Sequence, residues 1–257
     1  MKKLLVVAIL AIAVASPATA QMHGQGPTEV SLRVEAGRLL VPVKAADGTE
    51  FEFMLSTGTP PTVLSESTAA KLGGHLNLTI GGLPLDMEGL VTVPDEQLTT
   101  DGLVIAGIVG SETLNDYDIL IDVPGERLVL KPFGRRVEWD GMKLSDPIRL
   151  RVLHGAILAL DIELNGTPYM AQLDLGMSTL IINEPVQTAL HLQAEGDTTL
   201  GVGGAVYPRL STRMRDLEVF ERWDPDGAGF VIVGAPLVFD CAVSISFVHQ
   251  EMRTCVR

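Results

Sequence analysis

The sequence repeats itself, and the repeat limits what the chain can fold into. Phe53–Ser65 (FMLSTGTPPTVLS) and Ala171–Asn183 (AQLDLGMSTLIIN) are two versions of one stretch, 118 residues apart. In each, an apolar run (Phe53, Leu55; Ala171, Leu173) meets a polar residue, a variable residue and a glycine. A second apolar run then follows, Val63-Leu64 or Leu180-Ile181-Ile182. This reads as strand, turn at glycine, strand, because glycine accepts backbone angles that other residues avoid. Upstream, Val30, Leu32, Val34 and Gly37 fall on Ile148, Leu150, Val152 and Gly155 in the same frame. Downstream, Leu64 falls on Ile182 and Leu72 on Leu190. One frame holding from Val30 to Leu72 marks an internal duplication.

A duplicated chain predicts two lobes, 21–130 and 148–257. The intervening 131–147 (KPFGRRVEWDGMKLSDP) lacks periodicity and is charged and Gly/Pro-containing, as a linker should be. Trp139 within it is expected to pack between the lobes. With 26 Gly, 15 Pro and many short Val/Ile/Leu/Thr runs between turn residues, the lobes read as β-rich. Alternation over Val30–Val34 marks a half-buried strand, and Asn77–Asp86 a hairpin closed by Gly81-Gly82. Two short helices are expected at equivalent places: Glu66–Leu72, with Ser65 as N-cap and Gly73 at its end, and Glu184–His191 after Asn183.

Residues 1–20 have the layout of an export signal. Lys2 and Lys3 precede the apolar run Leu4–Val14, and Ala18-Thr19-Ala20 forms a small-residue cleavage site. That run is shorter than the ~20 residues a bilayer span takes, so no stable membrane insertion is expected and the product should be periplasmic or secreted. Without the two lysines the formal charge goes from −13 to −15, which argues against nucleic-acid partners. Two cysteines, Cys241 and Cys255, invite a disulfide in an exported chain, two free buried thiols being the alternative. The five histidines are scattered singly, so no metal site and no cofactor are indicated. Asp86, Glu88, Asp95 and Glu96 read as a solvated face.

Asp174-Leu175-Gly176 followed by an apolar run resembles the Asp-Thr/Ser-Gly loop of aspartic proteases, in particular the small retropepsin-like group. A second signature of that family, two apolar residues and a glycine, is matched by Ile108-Val109-Gly110 and Ile232-Val233-Gly234. The resemblance implies an all-β fold of two retropepsin-like β-barrel lobes with short helices, and a cleft between them floored by the two loops. It implies Asp174 as a catalytic residue and Thr57, Gly58 and Gly176 as substrate-binding. It also points to Gly201–Gly204 as the flap, with Gly203 and Gly204 on the substrate. Both loops depart from the family. Ser56 stands where the first carboxylate belongs, and Leu175 where a hydroxyl would brace the opposite loop.

Aspartic proteases work because two carboxylates share one proton, so that one is acid while the other is base. Ser56 cannot serve as the second carboxylate. With no like charge to raise its pKa, Asp174 is expected to be ionised at neutral pH. Ser56 is not read as a nucleophile either, since no histidine lies near the loops to act as its base. The expectation is an exported, catalytically impaired, monomeric relative that binds extended peptide or protein segments between its lobes. One alternative is an active endopeptidase whose second carboxylate comes from a dimer partner's Asp174. The other is a cell-envelope structural or assembly factor.

Overall fold

The computed structural model describes residues 26–100, 102–132, 139, 142–153, 157–217, 219–220, 227 and 229–255. The proposed export signal lies outside them, as does much of the linker. Strand β1 (Thr28–Ser31) is followed by β2 (Arg33–Glu35), so the alternating run read as one strand is split at Leu32. The split has a cause. β1 pairs with β13 (Arg127–Pro132), while β2 folds back onto β3 (Arg38–Ala45). Leu32 marks the change of sheet, its N–H bonded to the carbonyl of Glu126 at 2.8 Å.

The first lobe continues with β4 (Glu50–Leu55), β5 (Val63–Ser65), helix α1 (Glu66–Leu72), β6 (Leu78–Ile80), β7 (Leu83–Pro84) and β8 (Val91–Val93). The short pair β9 (Thr99–Thr100) and β10 (Leu103–Val104) precedes β11 (Gly107–Val109), α2 (Ser111–Leu114) and β12 (Tyr117–Asp122). Its main sheet runs β7-β6-β3-β4-β11-β5-β8. The second lobe repeats the plan: β14 (Ile148–Arg149), β15 (Arg151–Leu153), β16 (Ile157–Leu164), β17 (Thr167–Leu173), β18 (Leu180–Ile182) and α3 (Glu184–Ala189). Then come β19 (Glu195–Val202), β20 (Ala205–Met214), β21 (Phe230–Val233), β22 (Val243–Ser246) and β23 (Glu251–Thr254). Its sheet runs β15-β16-β17-β21-β18-β20-β19, and β19 also pairs with β16, which closes it on itself.

The predicted helices form where capping chemistry places them. The Ser65 side chain accepts the N–H of Thr68, and Gly73 ends α1 in the left-handed region at φ 56°. Asn183 accepts the N–H of Val186. Helix α3 stops at Ala189, short of the expected His191, which itself turns left-handed at φ 52°.

The lobes share a sheet, β1-β13-β12-β22-β23-β14. At its centre β12 pairs antiparallel with β22, Ile119 opposite Ile245 and Leu120 opposite Ser244. Ile119, Ile121, Leu128, Leu130, Val243, Ile245 and Met252 join the main core. On the other face Trp139 and Met142 pack on Leu120, Val129 and Ala242, and the Trp139 indole N–H donates to Ser244 Oγ at 2.8 Å. Trp139 thus touches strands of both lobes. Cys241 and Cys255 form a disulfide, Cα–Cα 5.7 Å, flanking the last strand pair. Among the described residues no helix is long and apolar enough to cross a membrane.

Candidate functional site

Each lobe presents its loop in the same way. β11 lies parallel to β4 and antiparallel to β5, and β21 relates likewise to β17 and β18. The N–H of Ser56 bonds to Val109 O (3.1 Å) and that of Asp174 to Val233 O (2.9 Å). The glycine after each apolar pair is there for space. A Cβ on Gly110 would sit 2.2 Å from the Pro61 carbonyl oxygen, and one on Gly234 2.4 Å from that of Thr179.

Symmetry of backbone then brings two unlike residues together. Ser56 Oγ donates to Asp174 Oδ1 at 2.9 Å, and both side chains are buried. The same carboxylate oxygen accepts the N–H of Gly176 (2.9 Å) and of Gly58 (3.2 Å). Ser56 Oγ in turn accepts the N–H of Thr59 at 3.1 Å. Gly58 packs so tightly on the carboxyl that a Cβ would lie 2.3 Å from Asp174 Cγ. Thr57 supplies the brace. Its hydroxyl donates to Leu173 O (2.8 Å) and accepts the N–H of Leu175 (3.1 Å), tying the first loop to the second. Leu175 returns nothing and is buried in the main core, so the brace is one-sided.

The charge on Asp174 is governed by burial. Desolvation raises its pKa above the ordinary value, against the N–H of Gly176, the Ser56 hydroxyl, the N–H of Gly58 and the positive charge of Arg38. The shift needs no second carboxylate, because burial alone moves a carboxyl upward. Arg38 was not legible as a site residue. It opens β3 beside the β2–β3 turn and its guanidinium donates to Gly176 O. At the turn itself a Cβ on Gly37 would fall 2.9 Å from Ser178 Cβ. One signal existed: the repeat places Ala156 opposite Arg38, so the charge belongs to one lobe.

Ser56, Thr57, Gly58, Asp174 and Gly176 therefore converge, but Gly203 and Gly204 do not join them. A Cβ on Gly203 would meet Ile148 Cγ1 at 2.3 Å, and one on Gly81 would meet Thr28 Cγ2 at 2.5 Å. Both Gly-Gly hairpins thus rest on the first strands of the shared sheet. Assigning the second to a flap over the centre is corrected: turn chemistry identifies a hairpin tip but not the surface it lands on.

Strand alternation puts Met54 on the face of Ser56 and Gln172 on the face of Asp174. In the first lobe that face holds Val63 and Ile108 and is covered by Leu98, Leu103 and Ile105. In the second it holds Ile181, Phe230 and Ile232 and is covered by Leu217 and Phe220. The apolar surface flanking the centre is packed under the chain's own side chains on both sides. Among the described residues no group of three or more His, Cys, Asp or Glu could hold a metal ion. No protein-family model matches the sequence, and no curated protein matches it.

Proposed function

We propose that this chain is an exported relative of the retropepsin-like aspartic proteases that has lost proteolysis and binds extended peptide segments between its lobes. The observation that carries the reading is the Ser56–Asp174 hydrogen bond at 2.9 Å. A hydroxyl stands where a second carboxylate is needed, and three donors converge on one oxygen of Asp174. A shared proton, the source of acid–base catalysis in such a dyad, has no second site. The brace from Thr57 and the tight glycines keep the frame in place without the chemistry. The Cys241–Cys255 disulfide supports export.

Exchange of second lobes between two chains, which would pair two Asp174 residues, runs against the shared sheet. The β12–β22 ladder already joins the lobes of one chain through four residue pairs.

The test is retention of a mixed peptide library by the mature protein, followed by mass spectrometry. Peptides should be recovered uncut, and retention should fall in Met177→Arg, which puts charge on the half-buried residue after Gly176. Cut peptides, or no retention at all, would overturn the proposal.

A further inference from the structure

The duplication exposes a second surface, independent of the centre. From the Gly-Gly tips onward the two lobes stay in register. β5 pairs with β8 as β18 pairs with β20: Val63 opposite Val91, Ile181 opposite Arg213. Val91 is thus the counterpart of Arg213, and Thr92 of Met214.

In the second lobe the outer edge of β20 is occupied. Glu195, Gly196 and Asp197 of β19 lie opposite Arg213, Thr212 and Ser211, and the N–H of Met214 donates to Ala194 O at 2.8 Å. In the first lobe the stretch from Leu72 to the Gly81 tip is four residues shorter than its counterpart from Leu190 to Gly203, and it opens with Leu72-Gly73-Gly74-His75. They end α1 instead: Gly73 and Gly74 take φ of 56° and 85°, and the N–H of His75 bonds back to Leu72 O. The two glycines turn the chain away from the position where β19 begins. Strand β8 therefore ends its sheet, with no partner on its outer side among the described residues. Its inner side is used, the N–H of Val91 bonding to Thr62 O at 3.1 Å. Alternation then turns the N–H and C=O of Thr92 outward. Glu88, Gly89, Val91 and Thr92 are all exposed, Val91 by 41%.

The charges around this edge select its occupant. Asp86 and Glu88 precede it, and Asp95 and Glu96 follow it. Burial, then Asp86 and Glu88, raise the pKa of nearby Glu112, a sign of crowded negative charge. The N–H of Ser67, which donates to Asp95 Oδ1 at 3.0 Å, is the main cause that lowers the Asp95 pKa, with Lys71 adding a smaller attraction. Two copies meeting edge to edge would bring these acids together, which disfavours self-pairing. We propose that β8 takes an extended, basic segment of a partner protein as an added antiparallel strand, in the place that β19 fills in the other lobe. Backbone bonds to Thr92 would supply register, and the flanking acids would select lysine or arginine.

The probe is a fluorescein-labelled eight-residue peptide of alternating Val and Lys, with a Val/Glu peptide as comparison, read by anisotropy. The Val/Lys peptide should bind and weaken with salt, and its addition should slow exchange of the Thr92 amide hydrogen. Thr92→Pro removes the outward N–H without touching the β5 ladder and should weaken binding on the order of tenfold. Val91→Lys should weaken it as well, in case the proline disturbs the strand, and Asp174→Asn should leave it unchanged. Equal binding of both peptides, or indifference to both edge substitutions, would refute the proposal. So would loss of binding in Asp174→Asn, or a concentration-dependent dimer that Thr92→Pro abolishes.

Discussion

Thr57→Val replaces the bracing hydroxyl with a methyl of nearly the same shape. Thr57 is fully buried and its Oγ1 serves both Leu173 O and the Leu175 N–H. The substitution opens no cavity, so its cost is that of two buried backbone groups left without a partner. Each costs about 1–3 kcal/mol, which gives roughly 2–6 kcal/mol together if neither finds a new partner. For a chain of this size about 2–4 °C of Tm accompanies each kcal/mol, so the midpoint should fall by roughly 4–24 °C. Thr57→Ser keeps the hydroxyl and loses one methyl, worth about 1 kcal/mol. Urea unfolding followed by circular dichroism separates the cases. A Thr57→Val protein within about 0.5 kcal/mol of wild type, or a Thr57→Ser protein equally damaged, would refute the claim that this hydroxyl ties the loops together.

Three further outcomes follow. Burial raises the folded pKa of Asp174 above its unfolded value, so the folded state binds its proton more tightly. Stability from this group is therefore present below the unfolded pKa and lost as pH rises through the folded one. Asp174→Asn should then compare better with wild type at pH 7 than at pH 4 in urea titrations, and the opposite order would contradict the assignment. Ser56→Asp sets a like charge against Asp174 and should destabilise more at pH 7 than at pH 4; a pH-independent effect would show that the two side chains do not meet. Reducing the Cys241–Cys255 bridge, 14 residues apart, should cost about 3 kcal/mol and lower Tm without loss of the β-rich circular dichroism spectrum. Two titratable thiols in the native protein would rule the bridge out.

Features that depend on local backbone chemistry were legible in the sequence. Ser65 and Asn183 cap helices where their position says they should, and Gly81-Gly82 and Gly203-Gly204 do form hairpin tips. The offset of the repeat alone pairs Ser56 with Asp174, since a duplicated loop meets its copy across the pseudo-symmetry. Contacts without a sequence period were not legible. Arg38 reaches Gly176 O from 138 residues away, and nothing in its neighbourhood marks it except its absence from the repeat. The landing of Gly203 on Ile148 depends on how the hairpin tilts against the shared sheet, and turn residues do not encode tilt. The upward shift of the Asp174 pKa likewise needed the depth of the loop, which a motif does not carry. The free edge of β8 arises from Gly73 and Gly74, legible as a helix stop but not as the loss of a strand.

The central claim is that the Ser56–Asp174 centre is a structural joint without proteolytic chemistry. Its most direct test is incubation of the mature protein with casein and a mixed peptide library from pH 3 to 7, with products sequenced by mass spectrometry and Asp174→Asn run alongside. The account predicts no cleavage above trace in either protein at any pH. Robust cleavage by the wild type that disappears in Asp174→Asn would contradict it.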